Sequence, residues 1–266
     1  MGLLLNMITQ LRSKLFALGL NVTRQTAPAD VRSLIQKLRP QDCGIELIRV
    51  GGDADGGYLL PDDLDGIEYC FSPGVGALSA FESKLAELNI KSFLADYSVD
   101  APPVSRPEFT FDKKFLGSSD RGEYLTLATW KEKYLPGYSG DMILQMDIEG
   151  AEYEVILSTP DRLLDQFRII VIEFHELHRI FDPFDFKFFS SCFEKLLNRF
   201  YVVHIHPNNG FGSLKKNGIE IPKILEFTFF NKKRVRIARP QTEFPHRLDR
   251  DVFAGPSLPL PRCWYT

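Results

Sequence analysis

Cysteine is scarce in this 266-residue chain: Cys43, Cys70, Cys192 and Cys263 stand far apart, with no CxxC pair. That excludes a sequence-evident zinc ribbon or a disulfide scaffold and suits a reducing, cytoplasmic setting. Long apolar runs are missing too, none approaching the roughly 20 residues that span a bilayer. Nor does one sign of charge dominate. Thirty-two basic and 35 acidic side chains leave a net charge of −3, so no global positive field exists to hold a nucleic-acid backbone. Internal repeats and low-complexity segments are absent. With 44% apolar and 25% charged residues, the composition is that of an ordinary globular protein, which excludes disorder and fibrous architectures.

The first twenty residues are apolar in part, but Arg12 and Lys14 interrupt them and no small-residue cleavage site follows, which argues against a signal peptide. Leu4, Ile8, Leu11, Leu15, Leu18 and Val22 fall along one helical stripe. Such a stripe docks on its own domain or on a second subunit of a homodimer; its other use is peripheral membrane contact through residues 1–22. A second helix is predicted from Pro28, with Val31, Leu34, Ile35 and Leu38 inward. Residues 1–45 thus read as a helical arm, 46–239 as the main domain, and 240–266, with Pro256, Pro259 and Pro261, as an extended strap.

In the main domain, short β-type runs alternate with amphipathic stretches. Strands are predicted at Ile67–Phe71, Lys91–Ala95, Phe109–Phe111, Met142–Met146, Arg168–Phe174, Tyr201–Ile205 and Ile224–Phe230. Helical spacing separates them, at Leu78–Leu88, Leu125–Tyr134, Glu152–Leu157 and Phe186–Phe200. This alternation predicts an α/β fold with a mostly parallel sheet covered by helices on both faces. Ligands of such sheets bind beyond the carboxyl ends of the strands, so the residues just after each strand carry the functional question.

The first strand is followed by Gly74-x-Gly76, and glycine there lets backbone approach a ligand at a helix N-terminus. Twenty residues after Gly76, Asp96 ends the second strand. A carboxylate in that place either accepts the vicinal hydroxyls of a ribose or caps a turn. After the fourth strand comes Asp147-Ile148-Glu149-Gly150-Ala151-Glu152. Two carboxylates so close need a cation, a hydrogen-bond donor or a proton between them, whereas Glu152 suits a helix N-terminus. The fifth strand ends in Glu173-Phe174-His175, and the sixth in His204-Ile205-His206-Pro207-Asn208-Asn209. Residues i and i+2 of a strand share a face, which pairs Glu173 with His175 and His204 with His206. The set suits a divalent metal or a metal-free general base. From Tyr201 onward, 11 basic side chains outnumber 5 acidic ones. Lys232, Lys233, Arg234, Arg236 and Arg239 would line a hairpin edge there, as a solvated edge or as a patch for the phosphates of a linked sugar.

Val50-Gly51-Gly52 through Asp55-Gly56-Gly57-Tyr58, Phe71-Ser72-x-Gly74-Val75-Gly76, and Leu144-x-Met146-Asp147-Ile148-Glu149-Gly150-Ala151-Glu152-Tyr153 resemble the FkbM-type S-adenosylmethionine-dependent methyltransferases. The resemblance covers about residues 46–230 and is most specific at the DxEGxE block. It implies a class I methyltransferase (Rossmann-like) fold with a seven-stranded, mostly parallel sheet. It also implies O-methylation of a hydroxyl on a sugar, glycan or secondary metabolite. Carried over by position, Gly74 and Gly76 lie against the methionine part of the cofactor, Asp96 holds the ribose, Leu116 and Gly117 lie near the adenine, and Asp147 lies near the sulfonium and the acceptor. Many such enzymes have an acid where this chain has Ser72; the resemblance suggests Asp55 as its replacement.

Methyl transfer to a hydroxyl needs alignment together with a base or Lewis acid. Asp147, Glu173, His175 and His206 are the expected catalytic set, with Asp147, Glu173 and His206 as ligands if Mg²⁺ or another divalent metal takes part. Two other classes use the same residues: a metal-dependent hydrolase on an α/β sheet, and a cofactor-binding module that acts only through interactions. Nucleic-acid methylation is not expected, since no Asn-Pro-Pro motif follows the fourth strand.

Overall fold

Seven short runs join in one sheet, all but the edge strand Phe109–Asp112 rich enough in apolar side chains to be largely buried on both faces. In the computed structural model, which describes residues 2–20, 22 and 24–266 and side chains from residue 6 onward, these strands are β1 (Tyr69–Pro73), β2 (Lys91–Ala95), β3 (Phe109–Asp112), β4 (Met142–Met146), β5 (Phe167–Phe174), β6 (Phe200–Pro207) and β7 (Leu225–Asn231). Their order is β6-β7-β5-β4-β1-β2-β3. The neighbours among β1 to β5 pair in parallel, whereas β7 runs antiparallel to both β5 and β6. This is the mixed α/β architecture expected for a class I methyltransferase.

Alternation along the strands divides the core in two. Leu144, Ile170, Ile172 and Phe71 face one layer, while Ile143, Ile169, Val171 and Cys70 face the other. The first layer takes α2 (Pro28–Lys37), α4 (Leu127–Tyr134), α5 (Glu152–Ser158) and α7 (Pro183–Leu197). The second takes α3 (Ala80–Glu87) and a hairpin of Leu47–Gly51 with Gly57–Pro61. Further upstream, α1 (Gly2–Ala17) stands apart, with its described side chains largely exposed; the Leu4 side chain of the predicted stripe lies outside the described residues. No helix among the described residues is long and apolar enough to cross a membrane.

The structure differs from the sequence reading in three places. First, the second helix of the arm and the end of the strap pack in: Val31, Leu34, Ile35, Leu38, Leu260 and Trp264 all join the core cluster built on β4 and β5. Arg239–Pro240 pairs with Gln41–Asp42, and the Trp264 indole N–H donates to the Glu220 carbonyl at 3.1 Å. Local proline content said nothing of the anchoring aromatic. Second, Lys232–Arg234 forms a 3₁₀ turn rather than a hairpin edge. There the Lys232 ammonium caps the Leu197 carbonyl and Arg234 forks onto Asp63, which disperses the expected row of cations. Third, Ser213–Lys216 and Ile219–Pro222 form a hairpin that the polar sequence between β6 and β7 did not suggest.

Trp264 has no exposed surface and ties the last residues of the chain to the core. Trp264→Ala is expected to cost about 3–5 kcal/mol of stability, measured by urea unfolding. An unchanged midpoint would mean that the tail contributes nothing to the fold.

Candidate active site

The carboxyl ends of β1, β2 and β4 open onto a cavity of about 600 Å³, lined by Asp55, Tyr58, Gly74, Gly76, Asp96, Leu116, Asp147 and Glu149 among others. Its near wall is the loop after β1. Gly74 has φ 88°, and a Cβ there would stand 1.6 Å from the Asp147 carbonyl oxygen. Only glycine lets this loop close on the end of β4. At Gly76 a Cβ would meet nothing within 4 Å, so the space beside it belongs to the cavity.

Asp96 fixes the loop from the end of β2. Its Oδ2 accepts the Gly76 N–H at 2.9 Å, and its Oδ1 accepts the Ser98 N–H and hydroxyl at 2.8 and 2.7 Å. The turn-capping role is therefore present in the geometry, and a carboxylate's further lone pairs still allow it to accept from a ligand. Leu116 lines the cavity, whereas Gly117 does not; a Cβ on Gly117 would press on Tyr124 at 2.9 Å. At this end the sequence reading missed two aromatics, Phe115 and Tyr124, whose rings lie 5.5 Å apart on the cavity wall.

Ser72 is fully buried beneath the loop. Its hydroxyl meets the carboxyl of Glu82, from α3, and Gln145 Oε1 at 2.6 Å; the Gln145 amide in turn donates to the Tyr58 hydroxyl at 3.3 Å. Burial raises the Glu82 pKa. A carboxyl thus stands beside Ser72, supplied ten residues later from a helix. Asp55 lines the same cavity from the hairpin turn. Glu82 lies on a helix, where no local spacing ties it to Ser72.

A second group sits behind Asp147. The DxEGxE turn is held by Glu152, which has no exposed surface and whose Oε1 accepts the Ile148 and Gly150 N–H groups at 3.1 and 3.0 Å. Those bonds stabilise a left-handed residue at Glu149 (φ 56°), a conformation that costs a non-glycine residue about 1–2 kcal/mol. The same Glu152 oxygen lies 3.1 Å from His175 Nδ1. His175 Nε2 then faces Asp147 at 3.7 Å, Glu149 at 3.5 Å and Glu173 at 3.6 Å. Four carboxyls therefore surround one imidazole. Asp147 and Glu149 line the cavity, whereas Glu173 and His175 stand behind them.

Such crowding displaces proton affinities. Burial and the nearby Glu173 push Asp147 up to about 8, against the pull of His175. Burial and Glu226 push Glu173 up to about 8 as well. His175 rises to about 9: burial works to lower it, but Glu152, Asp147 and Glu173 outweigh that effect. Asp147 Oδ1 is buried without a hydrogen-bond partner.

Strand register adds residues that the sequence reading did not select. Glu226 on β7 lies opposite both Glu173 on β5 and His206 on β6, which makes a row across three strands. Burial raises the Glu226 pKa, with Arg49 opposing. Asn208 donates to Glu173 Oε1 at 3.2 Å. His206 stands at the far end of the row and is not brought onto Asp147 and Glu173 as a ligand set. Its Nδ1 faces Asp249 at 3.7 Å, while His204 Nε2 meets the other Asp249 oxygen at 2.8 Å. Asp249 belongs to the tail, some forty residues away, where no local spacing could reveal it.

Among the described residues two groups have a ligand set for a cation: Asp147 with Glu149 and His175, and His204 with His206 and Asp249. In the second, Asp249 already meets His204 and accepts the His246 N–H at 2.7 Å, while His206 Nε2 is buried without a hydrogen-bond partner. The first fits better. Its oxygens stand 3.5 and 3.7 Å from Nε2, beyond good hydrogen bonds, and Glu152 braces the opposite ring nitrogen, as is usual for metal-ligating histidines.

A family model, the methyltransferase FkbM domain, matches residues 125–200, which run from just before α4 through the DxEGxE turn and β5 to the end of α7. This family implies S-adenosylmethionine as the methyl donor. No curated protein matches the chain. Among solved structures it is similar to a putative DNA modification methyltransferase encoded within an E. coli prophage, at 10% identity and a TM-score of 0.40, covering 62% of this chain and 47% of that one. This chain therefore spans about half the length of that protein. It is also similar to a chain of a fibrillarin/Nop5p complex, at 15% identity and a TM-score of 0.37, covering 63% of this chain and 74% of that one. Both superpositions are loose, and neither bears on the site.

Gly74 and Gly76 offer a test of the loop. Gly74→Ala drives a methyl group into the Asp147 backbone, whereas Gly76→Ala meets only the strain of its positive φ. Gly74→Ala should lower the melting temperature clearly more than Gly76→Ala, whose cost is about 1–2 kcal/mol. Equal effects would show that the loop does not close on β4 as described.

Proposed function

We propose that this chain, whose residues 125–200 carry the FkbM methyltransferase match, transfers a methyl group from S-adenosylmethionine to a hydroxyl of a sugar, glycan or secondary metabolite. One observation carries the reading: the glycine loop, Asp96 and Asp147 all open onto the same cavity, at the strand ends where α/β sheets bind ligands. Its volume of about 600 Å³ lies in the range of small-molecule and cofactor sites.

The bound donor supplies an electrophilic methyl group on a sulfonium. In this reading the Gly74–Gly76 loop takes the methionine end, with Glu82 and Asp55 as the carboxyls on that side. Asp96 accepts the ribose hydroxyls, and Leu116, Phe115 and Tyr124 take the adenine. Asp147 faces the acceptor. A carboxyl whose proton affinity sits near neutrality suits removal of a hydroxyl proton as the new bond forms. Glu173 and His175 do not reach the cavity and act through Asp147 by setting its charge. His206 and Glu226 extend that buried row.

A second form of the same activity is favoured by the unpartnered Asp147 Oδ1. Asp147, Glu149 and His175 would hold a divalent cation, which would supply Lewis-acid activation of the acceptor oxygen. One imidazole with two carboxylates suits Mn²⁺ or Zn²⁺ as well as Mg²⁺.

The test is methyl transfer from labelled donor to a panel of hydroxylated sugars and polyketides. Wild type should label at least one acceptor, and Asp147→Asn should lower turnover by about 10²-fold or more, as for loss of an acid–base group. Full activity in Asp147→Asn would remove Asp147 from the chemistry. Loss of activity on chelation, restored by Mn²⁺, would select the cation form; turnover unchanged by chelation would select the base. Hydrolysis without the donor would instead favour a hydrolase.

A further inference from the structure

Helix α1 exposes an apolar face that the fold leaves uncovered. Met7 is 62% exposed, Ile8 45%, Leu11 59% and Leu18 76%. From residue 6 to 20 only Leu15 is even half-buried. The docking on its own domain that the stripe suggested is therefore not what the structure has. At 100° per residue, Met7, Leu11, Leu15 and Ile8 fall within an arc of about 100°, and Leu18 follows in the turn just past the helix. Lys14 projects just outside one edge of that arc and Arg12 just outside the other. Asn6, Thr9, Gln10 and Ser13 occupy the opposite side, where Phe16 stands exposed beside them.

Charge identifies the occupant. Residues 1–29 contain Arg12, Lys14 and Arg24 and no acid, in a chain whose net charge is −3. A second copy of α1 packed on the same arc would offer Arg12 and Lys14 no carboxylate, since neither helix carries one. An anionic lipid surface removes that conflict, because cations flanking an apolar arc can extend to the headgroups while their stems stay on the acyl side. We infer that α1 is a membrane-surface anchor: it lies in the plane of an anionic headgroup layer, with Met7, Ile8, Leu11, Leu15 and Leu18 toward the acyl chains and Arg12 and Lys14 on the phosphates. At 16 residues it lies on the surface and does not span.

Flotation of the full chain with vesicles tests this, using phosphatidylcholine alone and phosphatidylcholine with about a third phosphatidylserine. Binding should be about ten-fold or more tighter on the anionic vesicles, since each near-surface cation strengthens it several-fold, and it should fall with added salt. Leu11→Asp and, independently, Ile8→Asp should abolish flotation. Arg12→Gln combined with Lys14→Gln should reduce anionic binding to the neutral level. Because α1 is not packed on the core, all of these variants should keep the wild-type unfolding midpoint. Absence of flotation, equal binding to both vesicles, or flotation that survives Leu11→Asp would overturn the inference. So would a dimer in lipid-free solution that Leu11→Asp dissociates, which would assign the face to a second copy.

Discussion

The Glu152 carboxyl, with no exposed surface, ties together the carboxyl ends of two paired strands, β4 and β5. It takes the Ile148 and Gly150 N–H groups of the turn after β4 and lies against His175 Nδ1 at the end of β5. The left-handed Glu149 persists because that turn is held from inside. The His175 ring is set from its far nitrogen, so Nε2 must face Asp147, Glu149 and Glu173. The Tyr153 hydroxyl, on α5, donates to the His175 carbonyl at 2.9 Å and fixes the same segment a second time. A neutral residue at position 152 would leave both the turn and the imidazole without their common support.

Placing so many carboxyls together is unfavourable unless something compensates, because each buried charge without a partner costs several kcal/mol. The protein concentrates the problem instead of dispersing it. Glu226, Glu173 and Asp147 follow one another across neighbouring strands, with His175 beside them and Arg49 near Glu226. One imidazolium cannot balance that charge. The remainder is met by retained protons, to which the raised Asp147 and Glu173 affinities point, or by a cation. Either answer suits the acid–base role proposed for Asp147. His204 and His206 meet Asp249 and so fasten the tail to the sheet.

Much of this was legible in the sequence, for a physical reason. Buried parallel strands announce themselves as continuous apolar runs, so Met142–Met146 and Arg168–Phe174 were read almost residue for residue. The residues just beyond such strands form the ligand-facing edge, which drew attention to Gly74, Asp96, Asp147 and His175. The rest depended on distance along the chain. Glu226 matters because β7 inserts antiparallel between β5 and β6, and local periodicity does not report strand order. Glu82 matters because α3 folds its carboxyl back under Ser72. The separation of His206 from Asp147 was hidden for the same reason, since its partner, Asp249, lies in a stretch whose composition showed only extended backbone.

The central claim is that the loop after β1 and Asp96 form a binding site for the methyl donor. Calorimetric titration with S-adenosylhomocysteine tests it most directly, because it needs neither the acceptor nor a metal. The account predicts saturable one-to-one binding by wild type and its loss in Asp96→Ala, with the fold of the variant intact by circular dichroism. No heat at millimolar ligand, or unchanged binding by Asp96→Ala, would contradict it.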